Sequence, residues 1–206
     1  GVPGTRVVRE CVEKPDADVA ATYVADGYRW NAGMFIVRPT VLLDLLADKL
    51  RRVNGIPVES RDEVLTTNGG VHALFLASQA LVEPGDEVIT TPYTFSATVA
   101  TILYAGATPV LVDTLPEFPN IDPDAVAAAV TTRTRAIVPV HFAGAPCDLD
   151  AIGAIAERCG AVVLEDAAHA LPATYKGRKI GSIGKATAFS LYAGKNITTG
   201  EGGVIT

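Results

Sequence analysis

The sequence predicts an α/β fold in which a mostly parallel β-sheet is flanked by helices. Two patterns carry this prediction. From residue 65 onward, short β-rich runs alternate with helical runs, and the run AVVLED (residues 161–166) is apolar without alternation, as in a strand buried on both faces. Alternating strands and helices are typical of parallel sheets, because each crossover helix packs back onto the sheet.

A small α+β segment is predicted ahead of the sheet, in residues 1–50. Residues 7–15 alternate like a strand, residues 16–25 have the composition of a short helix, and residues 28–37 form a second β-rich run. An amphipathic, leucine-rich helix is predicted over residues 40–50.

Residues 51–63 (RRVNGIPVESRDE) have the composition of a linker, since they are charged and contain an Asn-Gly pair and a proline. We therefore divide the chain into residues 1–50, a join at 51–63, and a main domain at 64–206. Few contacts are expected between residues 1–50 and the sheet that forms later.

The main domain should contain four parallel strands with helices between them. The strands are expected near Val88, Val110, Ile137 and Val163. Asp122 followed by Pro123 is a favourable start for a helix, as N-cap and first helical residue. A helix over residues 148–159 should end at Gly160, because glycine tolerates the left-handed conformation found there.

Composition excludes several classes of function. The 206 residues carry a net charge of −6, which offers no basic face to nucleic acid, and no apolar run is long enough to cross a bilayer. Three cysteines without C-x-x-C spacing and three scattered histidines predict neither a disulfide framework nor a metal site. The absence of a leader-like start leads us to expect a cytoplasmic protein. The chain begins at Gly1 and stops just after an apolar Val-Ile pair, so both ends are expected to be truncations.

The segment ATAFSLYAGKNITTGEGG (residues 186–203) is the first candidate for chemistry. An apolar, aromatic run delivers Lys195 into small and polar residues, where a desolvated lysine can act as a nucleophile. A surface lysine in a polar turn is the alternative for this residue taken alone.

Other candidates lie where strands are predicted to end, which is where α/β sheets bind ligands. Asp166 ends the run AVVLED, where its carboxylate can pair with a protonated ring nitrogen such as that of pyridoxal phosphate. The alternative role for Asp166 is that of a helix N-cap or of a partner in a structural ion pair. Gly69 and Gly70 precede a helix whose amides can hold a phosphate. Phe95 can lie on a ring or in the core, and Ser190 can donate to the same phosphate.

Five motifs occur in one order along residues 62–206, namely PGDEVITTPYTF, GATPVLVD, RTRAIVPVHFAG, EDAAHA and FSLYAGKNITTGEGG. Together they resemble the DegT/DnrJ/EryC1/StrS family of sugar aminotransferases, which depend on pyridoxal 5′-phosphate. The resemblance implies an incomplete large domain of fold type I. It also implies transfer of an amino group from an amino acid, glutamate in our interpretation, to a keto sugar on a nucleotide.

The resemblance assigns roles by position. Lys195 matches the lysine that forms a Schiff base with the cofactor, Asp166 the partner of the pyridine nitrogen, and His169 the residue that contacts the ring hydroxyl. Family members that act as dehydratases have histidine in place of this lysine, so Lys195 favours amino transfer.

The remaining matches concern the cofactor's ring face and phosphate. Phe95 matches the aromatic residue stacked on the ring, and Ser190 matches a phosphate ligand. Gly70 and Val71 lie in the phosphate turn, which departs from the family pattern. The run TTNGGVHAL is one residue longer than expected, and Val71 stands where a threonine hydroxyl is usual. We expect all these residues to surround one cavity.

Two motifs near the start, EKPD and WNAGMF, resemble the sugar-binding half of mannose-1-phosphate guanylyltransferases. By that resemblance Glu13, Lys14 and Asn31 match positions that contact the sugar phosphate. The glycine-rich nucleotide loop of that family is absent, so we interpret residues 1–50 as a remnant. A hairpin and helix that serve only as packing is the alternative.

Two further functions stay open from the sequence: a fragment of a sugar nucleotidyltransferase, and a non-catalytic fragment that retains the fold. The aminotransferase resemblance implies nucleotide-sugar and amino-acid substrates. It also implies a homodimer in the complete family member, whose small domain follows the lysine.

Overall fold

The structure is a computed structural model that describes residue 44, residues 46–58 and residues 60–206. By the density of its internal contacts the chain divides into two units, Gly1–Val37 and Arg38–Thr206, and all the described residues belong to the second. The predictions for residues 1–43, including the roles of Glu13, Lys14 and Asn31, lie outside the described residues.

Strands and helices alternate along residues 65–206, as predicted. The strands are β1 (Leu65–Thr67), β2 (Glu87–Thr90), β3 (Thr108–Leu111), β4 (Thr134–Ile137), β5 (Val162–Asp166), β6 (Thr174–Tyr175), β7 (Arg178–Lys179), β8 (Ala186–Ser190) and β9 (Gly203–Ile205). The α-helices of this region are α1 (Gly70–Leu81), α2 (Ser96–Tyr104), α3 (Pro123–Ala129) and α4 (Leu149–Cys159). Short turns of other helical types are Leu50–Asn54, Arg61–Glu63 and Phe142–Gly144.

Seven strands form one sheet in the order β1-β9-β8-β5-β4-β2-β3. The pairs β3–β2, β2–β4, β4–β5 and β5–β8 are parallel, so the four strands expected near Val88, Val110, Ile137 and Val163 are confirmed as parallel. Strands β9 and β1 are antiparallel additions at one edge. Strands β6 and β7 pair with each other in a separate antiparallel hairpin.

The sheet is covered by helices on both faces. Val88 of β2 belongs to an apolar cluster with residues of α1 and α2, whereas its neighbour Ile89 belongs to a cluster with residues of α3 and α4. Successive side chains of a strand point to opposite faces, so one short strand contributes to both layers. Ile89 is fully buried, and burying a side chain of this size stabilises the fold by about 1.5–3 kcal/mol.

Helix boundaries follow the predicted capping residues. The side chain of Asp122 accepts a hydrogen bond from the amide of Asp124 at 2.9 Å, with Pro123 as the first helical residue of α3. At the end of α4, Gly160 adopts the left-handed conformation with φ 71°. Both boundary predictions are confirmed.

The expectation of few contacts between residues 1–50 and the sheet is wrong for the described part of that range, because Ala47 and Leu50 are buried in one cluster with Phe189 of β8. Ile56 and Val58, within the stretch predicted as a linker, are buried in the same cluster. The charged composition of this stretch concealed two apolar residues spaced two apart, whose side chains both reach the core. The proposed division of the chain at residues 51–63 otherwise stays a prediction.

No helix of the described residues is both long enough and apolar enough to span a membrane.

Candidate active site

A cavity of about 740 Å³ opens at the edge of the sheet where β2, β4, β5 and β8 end. Loops that follow the carboxyl ends of parallel strands meet at this edge, which is where open α/β sheets bind ligands. The cofactor-binding candidates that lie within the described residues all line this cavity: Gly70, Val71, Phe95, Asp166, His169, Ser190 and Lys195.

Asp166 is the last residue of β5, and backbone hydrogen bonds hold this end of β5 to the segment after β4 on one side and to β8 on the other. Its amide donates to the carbonyl of Pro139 at 2.9 Å, and its carbonyl accepts from the amide of His141 at 3.0 Å. The next amide, from Ala167, donates to Ala188 of β8 at 2.9 Å. The carboxylate is thereby fixed where β4, β5 and β8 end.

The Asp166 side chain is only 4% exposed although it faces the cavity. Its Oδ2 accepts a hydrogen bond from the Thr98 hydroxyl at 2.7 Å, and its Oδ1 accepts from the Ala168 amide at 3.2 Å. Burial raises its pKa, and these two hydrogen bonds partly oppose that effect. Within the described residues no cationic side chain forms an ion pair with it. The ion-pair alternative for Asp166 is therefore not observed, and no described helix begins after Asp166, so it is not an N-cap either.

Lys195 lies in the loop that joins β8 to β9, and its side chain is half-buried. Its amide donates to the carbonyl of Tyr192 at 2.9 Å. The base of the loop is closed by the Leu191 amide, which donates to Gly202 at 2.8 Å, and by the Thr199 amide, which donates to Leu191 at 3.0 Å. The loop is thus a tight, hydrogen-bonded turn that positions the lysine above the end of the sheet.

The start of α1 is packed against the end of β8. A Cβ added at Gly70 would lie 2.8 Å from the Cβ of Ser190, closer than real Cβ atoms approach. A Cβ at Gly203 would meet the carbonyl group of Gly69 at 2.5 Å. Glycine at these positions lets the two backbones approach. The first amides of α1, which have no acceptor within the helix, therefore lie beside the Ser190 hydroxyl.

Two candidates lie on the open part of the cavity. Phe95, at the N-cap position of α2, is 73% exposed, so the alternative that it belongs to the core is wrong. The pKa of His169 is lowered by burial and by the positive charge of Lys195, and Asp166 opposes this shift. His169 is therefore a neutral imidazole near pH 7, able to donate or accept a hydrogen bond.

Sequence reasoning missed several residues of this site. Thr98 is 68 positions from Asp166, so its hydrogen bond leaves no local signal in the sequence. His141 also lines the cavity, where its Nδ1 accepts from the Cys147 amide at 3.1 Å. Its Nε2 therefore carries the proton and donates to Glu165 at 2.8 Å.

No group of three side chains that could hold a metal ion occurs among the described residues. The site therefore consists of a lysine, a buried carboxylate, a histidine, an exposed aromatic ring and a helix start, all around one cavity.

Comparison with known proteins identifies the family that this constellation comes from. A model described as the DegT/DnrJ/EryC1/StrS aminotransferase family matches residues 58–206. The resemblance found from motifs over residues 62–206 is thereby confirmed. The resemblance of residues 1–50 to guanylyltransferases stays a hypothesis.

One relative is the spore coat polysaccharide biosynthesis protein SpsC of Bacillus subtilis (strain 168), which is 59% identical to this chain over 143 residues. That match covers 69% of this chain and 37% of SpsC. GDP-perosamine synthase of Caulobacter vibrioides is 48% identical over 143 residues, which cover 69% of this chain and 38% of the synthase. The chain thus spans less than two fifths of the length of these curated relatives.

Among solved structures, Spr1654 of Streptococcus pneumoniae has been determined in a PLP form and a PMP form. Each superposes on this chain with a TM-score of 0.74 at 34% identity, over 92% of this chain and 50% of Spr1654. The fold similarity agrees with a truncated large domain of fold type I.

Proposed function

The chain belongs to the DegT/DnrJ/EryC1/StrS aminotransferase family, and on this premise we propose that the complete protein transfers an amino group from an amino acid to a keto sugar carried on a nucleotide. Glutamate is the amino donor in this proposal, and pyridoxal 5′-phosphate is the cofactor. One observation carries the proposal: Lys195 and the buried carboxylate of Asp166 line the same cavity at the carboxyl edge of the sheet.

Two features of the cavity fit this cofactor. Asp166 is a buried carboxylate whose pKa is raised by burial and which forms no ion pair within the described residues, so a cationic ring nitrogen would complete its environment. At the other end, the amides that begin α1 and the Ser190 hydroxyl form a cradle in which a Cβ at Gly70 would not fit. Amides at a helix start favour a phosphate group.

Pyridoxal phosphate supplies an electron sink that stabilises negative charge on the carbon next to the transferred nitrogen. In the proposed arrangement Lys195 would hold the cofactor through its amine, and once the incoming amino group had displaced it, the free amine would serve as the general base that moves a proton between carbon atoms. Asp166 would keep the ring nitrogen protonated, and His169 would contact the ring hydroxyl.

The other candidates position the cofactor. Phe95 would cover one face of the ring, since its side chain stands exposed in the cavity. Ser190, Gly70 and Val71 would hold the phosphate. Val71 has no hydroxyl, so backbone amides and Ser190 would bind the phosphate here in place of a threonine.

We also propose that the complete protein is a cytoplasmic homodimer. Tyr192 is a large aromatic residue exposed at the cavity, and a partner chain would cover it. Cys147 and Cys159 are both free thiols, as expected in a reducing compartment.

Chemical trapping of the cofactor tests the proposal. The chain is incubated with pyridoxal phosphate, reduced with borohydride and digested, and the modified peptide is identified by mass spectrometry. We expect the adduct on Lys195 and its loss in Lys195→Ala, because this lysine lies in the cavity. Lys179→Ala is the matched control, since Lys179 is also half-buried but is not part of the cavity lining. Modification that persists in Lys195→Ala at the same level would reject the proposed role.

A further inference from the structure

A line of two hydroxyl groups leads from the cavity to Asp166. The Thr94 and Thr98 hydroxyl oxygens are 2.7 Å apart, and the Thr98 hydroxyl is 2.7 Å from Oδ2 of Asp166. Thr98 is almost completely buried and Thr94 is half-buried, and both residues line the cavity. Neither threonine has a role in the chemistry described above.

The direction of these hydrogen bonds follows from the number of protons. A threonine hydroxyl has one proton, and a carboxylate can only accept. Because Thr98 gives its proton to Asp166, Thr94 must give its own to Thr98. Both hydroxyls therefore point their protons towards the carboxylate. The hydrogen bond from Thr98 to Asp166 has a charged acceptor, and such bonds are stronger than those between neutral groups.

The two oxygens of Asp166 are each fixed by a different element. Oδ2 is held by Thr98 of α2, and Oδ1 is held by the Ala168 amide in the loop after β5. Rotation of the carboxylate would break both bonds. Each oxygen keeps a second acceptor position, so the carboxylate can still accept a proton donor from the cavity.

Burial alone would favour the protonated form of Asp166, which could not pair with a cation. The pKa of Asp166 is raised by this burial, and the Thr98 hydrogen bond is the largest of the contributions that oppose the shift. The titratable groups that act on Asp166 are His141 from the end of β4, His169 from the loop after β5 and Cys147 beside His141. His141 donates to Glu165 rather than to Asp166.

We propose that Thr98, supported by Thr94, is a positioning residue that holds Asp166 as an anion aimed at the ring nitrogen of the cofactor. This inference rests on the proposed function, since it takes the partner of Asp166 to be that nitrogen. Thr98 acts through Asp166 and does not touch the reacting atoms.

The position of Thr98 in the chain connects two parts of the site. Phe95 is the N-cap of α2, and the Thr98 amide donates to the Phe95 carbonyl at 3.1 Å. The same helical turn therefore carries the ring that faces the cavity and the hydroxyl that holds Asp166. One rigid element sets both the face of the cofactor ring and the partner of its nitrogen.

The ring nitrogen itself provides the readout for a test. Pyridoxal phosphate labelled with ¹⁵N in the ring is trapped on the chain with borohydride, and the protonation of the ring nitrogen is followed by NMR as a function of pH. In Thr98→Val we expect its apparent pKa to fall by about one unit, a tenfold change in protonation, because the anionic form of Asp166 loses a donor. Thr98→Ser, which retains the hydroxyl, should match the unaltered chain.

Thr101→Val is the matched control. Thr101 is also buried on α2, but its hydroxyl donates to the carbonyl of Thr98 at 3.1 Å and not to Asp166. The titration of the cofactor's ring nitrogen should be the same in Thr101→Val as in the unaltered chain. Thr94→Val should shift the titration in the same direction as Thr98→Val but less, because it removes the second hydroxyl of the line. Should Thr98→Val not fold, Thr98→Ala and Thr94→Val serve the same test.

The outcomes separate this inference from the proposed function. An adduct on Lys195 whose titration is the same in Thr98→Val, Thr101→Val and the unaltered chain overturns the inference alone. The absence of any Lys195 adduct in the unaltered chain overturns the proposed function and, with it, this inference.

Discussion

Glu165 and Asp166 are neighbouring carboxylates at the end of β5, and they lie in different environments. Glu165 is fully buried away from solvent, and its oxygens accept from the His141 ring at 2.8 Å, the Gly184 amide at 2.6 Å and the Thr187 hydroxyl at 3.1 Å. Asp166 faces the cavity. Successive side chains of a strand point to opposite faces, so one carboxylate supports the sheet while the next serves the site.

His141→Ala should lower the free energy of unfolding by about 3 kcal/mol, since it leaves the buried Glu165 without one of its donors. Urea denaturation monitored by circular dichroism measures this change. His72→Ala is the control, because His72 is half-buried and accepts only a 3.3 Å hydrogen bond from the Asn68 amide. A loss below about 1 kcal/mol in His141→Ala would contradict the structural role assigned to the pair.

Cys147 should resist thiol reagents in the folded chain, whereas Cys159 should react. Burial raises the pKa of the Cys147 thiol to about 12, and the thiolate is the reactive form. Cys159 is half-buried near the end of α4. Labelling with iodoacetamide at pH 8, followed by peptide mapping, compares the two sites. Equal labelling rates below the unfolding transition would show that the core around Cys147 opens readily.

The residue types of the site were predictable because family motifs mark them, but their supports were not. Lys195, Asp166 and Phe95 stand in motifs that can be read along the chain. Thr98 and His141 act through hydrogen bonds to residues distant in sequence. Such contacts depend on the sheet order, which no spacing of residue types reveals.

At the scale of elements, the hairpin β6–β7 is attached to the start of α4. The Tyr175 hydroxyl donates to Asp148 at 2.6 Å, and Lys176 donates to Asp150 at 2.8 Å. Arg178 also pairs with Asp150. Asp148 is at the same time the N-cap of α4, accepting from the Ala151 amide at 3.1 Å. One carboxylate thus joins the helix start to the hairpin.

Tyr175→Phe should raise the pKa of Asp148, since the Tyr175 hydrogen bond is the largest cause of its lowered value. In the folded chain this pKa lies below the ordinary 3.8, so the stabilisation is complete above that pH and is lost as the pH falls through the folded value. Carboxyl ¹³C NMR titration of Asp148 measures the shift. Tyr104→Phe is the control, because Tyr104 is 75% exposed and lies on α2, whereas Asp148 caps α4. An unchanged Asp148 titration in Tyr175→Phe would mean that the hydrogen bond does not form in solution.

Alternation and capping predicted the parallel strands and the helices, but not the antiparallel edge. Strand β9 has only three residues, Gly203–Ile205, and begins with a glycine, so it carries no periodic signal of its own. Its place is set by pairing with β8 and β1 and by the close approach of Gly203 to Gly69. Likewise, Ile56 and Val58 were hidden within a charged stretch.

At the scale of the whole molecule, the described surface carries large apolar side chains. On α2 alone, Leu103 is 57% exposed and Tyr104 is 75% exposed. Exposed apolar groups that lie together promote association. The chain spans half or less of its relatives' length.

The double variant Leu103→Lys, Tyr104→Lys should reduce self-association of the 206-residue chain, because it replaces exposed apolar surface with charge. Sedimentation velocity over a range of concentrations measures the change. Ala128→Lys on α3 is the control, since it adds charge on the opposite face of the sheet without removing a large apolar group. Association that is equally weakened by the control would show that an added surface lysine acts wherever it is placed, and that this apolar surface is not responsible.

The pairing of Leu65 with Ile205 has a consequence for synthesis on the ribosome. Strand β1, which leads into the proposed phosphate cradle, is made early, yet it joins the sheet through β9, about 140 residues later. Contacts between such distant segments form slowly, because the intervening loop must first be closed. The nascent chain can build the parallel strands β2 to β5 while it is still being extended. Because β1 joins the sheet only through β9, the phosphate cradle proposed beside β1 is complete only after β9 has emerged, later than the parallel layers.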